Sequence, residues 1–138
     1  MIITADTSAF IAVLRNEPEA RRFLEIMLGS DEVLVSAGTY VEAGIVADAV
    51  TPQRRKLALN VGDSFDELIR EVEASIVPVT ESIARTARAA YRRYGKGSGH
   101  KAQLNFGDCF SYALATERAT PLLFKGTDFA QTDIAAAI

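Results

Sequence analysis

The chain has no tryptophan, two methionines, one cysteine and one histidine. A lone cysteine, Cys109, excludes an internal disulfide and a zinc-finger framework, and it suits a reducing cytoplasm. A lone histidine, His100, excludes any centre that needs two imidazoles, and a Ser-His-Asp site would have to use that one residue. No apolar run approaches the ~20 residues of a membrane span. Residues 1–14 are apolar enough to suggest a leader, but they lack a basic start and Asp6 interrupts them, so they read as the first element of the fold. An excess of positive charge is also missing. Fifteen basic against 18 acidic residues give −3, which excludes a polybasic nucleic-acid binder but leaves room for a local basic patch.

What is present is the material of one soluble domain spanning residues 1–138. Hydrophobic residues make up 49% of the chain and charged ones 24%, enough apolar surface to offset chain entropy and rule out disorder as the main state. Ile2-Ile3-Thr4-Ala5 reads as a short buried strand ending at Asp6. Thr7-Ser8 then offers a helix cap leading into residues 9–14. Pro18 opens a second helix with Phe23, Ile26 and Met27 on its apolar face. Val33-Leu34-Val35 is a second strand, and Ser36 caps a helix running to about Val50. Pro52 opens a helical region over residues 53–73, with a weak point at Gly62 and apolar positions Leu57, Val61, Phe65, Leu68, Ile69 and Val72.

Ile76-Val77-Pro78-Val79 reads as a third strand, at an edge or ending at its proline. Thr80 starts a helix through Tyr94, residues 95–99 form a glycine loop, and Asn105 caps a helix to about Ala119. Leu122-Leu123-Phe124 is a fourth strand, and residues 134–138 offer a last short one. Strands alternating with helices predict a parallel sheet covered on both faces, with ligands outside the carboxyl ends of its strands.

That edge is where the carboxylates fall. Asp6 ends the first strand, and Asp128 follows the Leu122-Leu123-Phe124 strand. Asp108 lies in the first turn of its helix, where the helix dipole favours an anion. Glu42 shares an otherwise uncharged stripe with Gly38, Ile45, Val46 and Ala49, and a carboxylate there is expensive to bury alone. Taken singly, Asp6 and Asp108 also suit helix starts, Asp128 a turn, and Glu42 a salt bridge to Arg or Lys. Taken together they are costly. Two carboxylates about 4 Å apart repel by roughly 4 kcal/mol at an effective dielectric near 20. A cation among them removes that cost, and oxygen-only ligands suit Mg²⁺, with Mn²⁺ as a substitute.

Four blocks now stand out: Asp6-Thr7-Ser8-Ala9, Glu42, Leu104-Asn105-Phe106-Gly107-Asp108-Cys109-Phe110-Ser111-Tyr112-Ala113-Leu114-Ala115, and Leu122-Leu123-Phe124-Lys125-Gly126-Thr127-Asp128-Phe129, which Thr132-Asp133-Ile134 continues. In this order they resemble the PIN-domain ribonucleases, specifically the VapC-type toxins of type II toxin–antitoxin pairs. The resemblance implies a PIN-like three-layer α/β/α sandwich with a parallel five-stranded sheet. It also implies a catalytic metal site of Asp6, Glu42, Asp108 and Asp128, and Mg²⁺-dependent hydrolysis of RNA phosphodiesters leaving a 5′-phosphate. It further implies a homodimer and a small VapB-like antitoxin that inhibits by occluding the site. Two positions depart from the pattern: Thr127 stands where many relatives carry an acid or Asn, and Lys101 where many carry a proline.

Around this site, Ser8 and Thr127 are candidates for hydrogen bonds to ligands or water, against ordinary roles as cap and turn residue. Arg85, Arg88 and Arg92 recur at helical spacing on one face. With Arg93, Lys96, His100 and Lys101 they form a basic set able to hold RNA, or else a solvated face. Arg54, Arg55 and Lys56 read as a solvated face. Tyr40, Phe110 and Tyr112 suit core packing more than base stacking, Asp133 suits a cap, and Cys109 a small buried hydrophobe. The helices around Phe10, Leu14 and Phe65 offer an interface for dimerisation or antitoxin docking. Two other readings compete: a receiver-like phosphoacceptor, in which Lys125 follows a late strand, and a non-catalytic PIN-like protein-binding module. Against the first, receivers pair two acids after the first strand, whereas Asp6 is alone. Against the second, all four acids are kept. Removing those four charges from −3 leaves +1, so the acidity of the chain is partly that of one site.

Overall fold

The computed structural model describes residues 1–49 and 61–138. Strand β1 (Ile2–Ala5) leads into helix α1 (Thr7–Leu14), and α2 (Ala20–Gly29) follows. Then come β2 (Glu32–Ser36), α3 (Ala37–Asp48) and α4 (Val61–Glu71). The chain finishes with β3 (Ser75–Val77), α5 (Glu81–Tyr94), α6 (Phe106–Arg118) and β4 (Leu122–Leu123). Residues 50–60, with Pro52, Arg54, Arg55, Lys56 and Leu57 of the predicted helical region, lie outside the described residues.

Local chemistry accounts for the helix starts. Ser36 and Thr80 accept hydrogen bonds from Gly38 and Ile83, as the spacing predicts. Asn105 and Asp108 form a reciprocal capping box at the head of α6. The first helix differs from expectation. Its cap is Asp6 rather than Thr7 or Ser8, because the Asp6 backbone is still extended while its carboxylate accepts the Ser8 amide.

All strand pairs are parallel, in the order β3-β2-β1-β4. The edge position of β3 suits Pro78 just beyond it. The sheet has four strands among the described residues where five were expected. The tail contributes one parallel bridge, Ala136 to Leu122, bounded by hydrogen bonds of 2.8 and 2.9 Å. The alanines of that tail have little side chain to bury, so pairing does not extend.

Alternation along the strands builds two cores, one on each face. Ile3, Ala5, Val33, Val35 and Leu123 pack with α1, α2, α3 and α4. Leu34, Val77 and Leu122 pack with α5 and α6. The result is the predicted α/β/α sandwich. Phe10 and Phe65 meet edge to face at 5.6 Å inside the first core. They are buried, so the interface expected around them is interior instead: an amphipathic helix in a sandwich turns its large apolar residues to the sheet. Among the described residues no helix is long and apolar enough to cross a membrane.

Candidate active site

Asp6 stands at the carboxyl end of β1, held there by its amide, which donates to Leu123 O at 2.9 Å. Its side chain is buried and both its oxygens accept hydrogen bonds. Oδ2 accepts from the Ser8 amide at 3.0 Å and the Ser8 hydroxyl at 2.6 Å. Oδ1 accepts from the Ser111 hydroxyl of α6 at 2.7 Å. The Lys125 amide donates to Ser8 Oγ at 3.0 Å, so Ser8 ties Asp6 to the loop that runs on to Asp128.

Glu42 comes from α3, where its partner is the Thr7 hydroxyl at 2.6 Å; among the described residues no basic side chain pairs with it. Its carboxylate lies directly over Gly107 in the first turn of α6. A Cβ at residue 107 would fall 1.6 Å from Glu42 Oε2. Only glycine leaves room for this approach, and the exposed amides of the helix N-terminus partly offset the cost of bringing an anion there.

Asp108 sits one residue further along α6, its Oδ2 accepting the Asn105 amide at 2.9 Å. Burial raises its carboxyl, the Asn105 amide lowers it, and the charges of Asp6, Glu42 and Asp128 raise it again, to about 7 in all. The charges of three acids from three other segments of the chain, Asp6, Glu42 and Asp128, therefore reach Asp108 at one end of the sheet. Asp128 is the outermost, exposed at the start of a short 3₁₀ turn (Phe129–Gln131). Among the described residues no three acidic, histidine or cysteine side chains close into a ready-made metal cage, because Asp6, Glu42 and Asp108 are each held by their own hydroxyl or amide donors. The donor set is nonetheless all oxygen and anionic, which fits a hard divalent cation of the Mg²⁺ or Mn²⁺ type and not a thiophilic one.

The remaining predicted residues distribute unevenly. Ser8 touches Asp6 directly, whereas Thr127 is exposed on the loop before Asp128. Arg85 pairs with Glu81 at 2.8 Å. Arg93 lies 3.7 Å from Asp133 and stacks over the Tyr94 ring. His100 is a structural turn residue: its Nδ1 accepts the Ala102 amide at 3.0 Å and its ring meets the Tyr94 ring. Arg92, Lys96 and Lys101 are exposed. Arg88 is exposed and lines a groove with residues from the first turn of α6, where Asp108 lies. The groove, of about 350 Å³ between α5 and α6, is also lined by Tyr91, Phe106, Cys109 and Phe110, and Phe106 and Cys109 flank Asp108. Cys109 is buried, and burial pushes its thiol up to about 11, so it is inert at neutral pH. Asp133 accepts the Tyr112 hydroxyl at 2.5 Å, a structural role. Lys125 binds Glu17 at 2.5 Å and Glu19 at 3.2 Å, so it does not serve the carboxylates as a receiver lysine would.

Sequence reasoning missed Thr39 outright and read Thr7, Gly107 and Ser111 only as cap or block residues, without their contacts. Ser111 had a usable signal: it follows Asp108 by three residues, and so shares its helix face. Thr39 precedes Glu42 by the same spacing.

The PIN domain family model matches residues 3–135. The chain is 49% identical over 133 residues to Ribonuclease VapC28 of Mycobacterium tuberculosis, covering 96% of each chain. It is 43% identical over 132 residues to a Ribonuclease VapC of Mycolicibacterium smegmatis, covering 95% of this chain and 96% of that one. Among solved structures it is similar in fold to the Mycobacterium tuberculosis toxin VapC20, described as cleaving the sarcin-ricin loop. The TM-score is 0.70 at 15% identity, covering 98% of this chain and 97% of that one. A toxin–antitoxin complex from Klebsiella pneumoniae matches with a TM-score of 0.64 at 19% identity, covering 93% of this chain and 90% of that one.

Proposed function

The chain belongs to the PIN-domain family and, within it, to the VapC ribonucleases, and from that premise we propose that it is a Mg²⁺-dependent endoribonuclease acting as the toxin of a type II toxin–antitoxin module in the cytoplasm. The observation that supports this reading is the approach of Asp6, Glu42 and Asp128 to Asp108 at the carboxyl edge of a parallel sheet, where each of the three raises the cost of ionising Asp108. Asp6, Asp108 and Asp128 are the proposed ligands, with Glu42 as a further ligand or as the group orienting the attacking water. Bound there, Mg²⁺ (or Mn²⁺) supplies charge stabilisation to the phosphoryl oxygens and acidifies water for in-line attack. Ser8 and Ser111 hold the Asp6 carboxylate rigid, and Thr7 holds Glu42. An oxygen of Glu42 not engaged by Thr7 is then able to accept a proton from water.

RNA is the proposed substrate because the curated relatives are named ribonucleases, and the exposed Arg88, at the groove lined by Phe106 and Cys109, is a candidate to hold it. Arg88→Ala should raise the KM for single-stranded RNA, leave kcat within about threefold, and reduce the salt dependence of binding by roughly one phosphate contact. An unchanged salt slope would remove Arg88 from the RNA path. A homodimer and a VapB-like antitoxin complete the proposal. The exposed Val41 and Ile45 of α3 and Phe106 of α6 supply apolar surface of the kind protein partners cover.

The test is cleavage of single-stranded RNA by the purified protein with Mg²⁺ and with a chelator. Cleavage is expected only with the cation, and Asp6→Asn should abolish it. Equal cleavage by the chelated protein and by the variant would identify a contaminant and end the metal-site reading.

A further inference from the structure

Asp6 is the point at which the buried hydroxyls of the site converge, and its lone pairs can be counted. A carboxylate offers about four acceptor positions, two on each oxygen. Oδ2 accepts both the amide and the hydroxyl of Ser8, so it is saturated. Oδ1 accepts the Ser111 hydroxyl and has one position left.

The direction of the next bond follows from the same count. An ionised carboxylate only accepts, so the single proton of the Ser111 hydroxyl is committed to Asp6. Thr39 Oγ1 lies 2.9 Å from Ser111 Oγ. The donor in that pair is therefore Thr39. Both hydroxyls are fully buried, so bulk water cannot replace either bond. A one-way chain runs from Thr39 through Ser111 to Asp6.

Its placement gives it leverage. Thr39 lies one turn before Glu42 on α3, and Ser111 one turn after Asp108 on α6. The chain thus joins the three segments that bring Asp6, Glu42 and Asp108 together. The two helices can pack this closely because residue 38 has no side chain: a Cβ there would fall 2.7 Å from the Phe110 ring.

We propose that Thr39 and Ser111 are positioning residues that hold Oδ1 with one lone pair free while Ser8 saturates Oδ2, so that Asp6 engages a divalent cation through one oxygen only. The inference rests on the cation reading above. It concerns how the ligand is presented, which is separable from whether the cation binds.

The test uses the intact protein and Mn²⁺ alone, without RNA. Titration calorimetry should show Ser111→Ala and Thr39→Val binding Mn²⁺ about 10-fold or more weakly than wild type, within the range of roughly 10–100-fold found when a group orienting a metal ligand is lost. Thr39→Ser keeps the hydroxyl and should restore wild-type affinity, which a purely steric role for Thr39 does not predict. Thermal melts establish that each variant is folded. A Mn²⁺-bound crystal structure should show Asp6 contacting the ion through Oδ1 alone. Bidentate Asp6, or wild-type affinity in folded Ser111→Ala and Thr39→Val, overturns the proposal. Failure of the wild-type protein to bind Mn²⁺ overturns the cation reading and this inference with it, so the two failures are distinguishable.

Discussion

Asp108→Asn is expected to lower RNA cleavage by at least about 100-fold, since even groups that only orient a metal ligand are worth roughly 10–100-fold. The same substitution should stabilise the cation-free protein above neutral pH. Burial and the neighbouring charges of Asp6, Glu42 and Asp128 raise the Asp108 carboxyl from 3.8 to about 7. A group whose folded value is raised favours folding fully below its unfolded value, and that contribution fades as pH rises through the folded one. The cation-free wild type should therefore lose stability between about pH 4 and 7 from this residue, and the variant should not.

Asparagine still accepts the Asn105 amide, so the helix cap survives while the charge is removed. At pH 8 the melting temperature of the cation-free variant should exceed that of wild type by a few degrees, roughly what ~1 kcal/mol produces in a domain of this size. Adding Mg²⁺ should raise the wild-type midpoint by mass action and leave the variant nearly unmoved. Melting curves across pH, with and without Mg²⁺, measure all of this. Parallel pH dependence in the two proteins would show that Asp108 is not the strained carboxylate.

Gly107→Ala separates folding from chemistry in the opposite way. The new Cβ would lie 1.6 Å from Glu42 Oε2 and 2.2 Å from Glu42 Cδ, so the carboxylate must leave. It is the far end of a flexible side chain, and its departure costs the fold little. Alanine is also favoured over glycine in a helix by up to about 1 kcal/mol. The melting temperature should hold or rise while cleavage falls by about 100-fold, matching Glu42→Gln. Combining the two changes should cost no more than either alone, because both remove the same group. Wild-type cleavage by folded Gly107→Ala would show that the seat of Glu42 against α6 has no part in the reaction.

These two residues also mark where sequence reading succeeds and where it stops. Asp108 was legible because its signals are local: an Asn three residues before it, an apolar run after it, and a block shared with a known family. Asp6, Asp128 and Glu42 were legible for similar reasons, each following a short strand or lying alone on an apolar helix face. Gly107 was read only as part of a block. Its purpose depends on a side chain 65 positions earlier in the chain, and no local pattern reports that distance.

What the sequence by itself determined is the set of elements, their alternation, the two-faced burial of the sheet and the four acids at its carboxyl edge. Strand and helix periodicity, caps and turns act over two to four residues, and each residue carries its own evidence at that range. Only the tertiary structure decided that Asp6 caps its own helix, that the tail adds one bridge and not a full strand, and that Phe10 and Phe65 face inward. It alone joined Thr39 and Ser111 to Asp6 across 105 positions of chain between Ser111 and Asp6. Such contacts are set by how closely two helices pack on one sheet. That closeness comes from the summed fit of side chains along both helices, with Gly38 and Gly107 as the two points where a missing side chain lets the others meet.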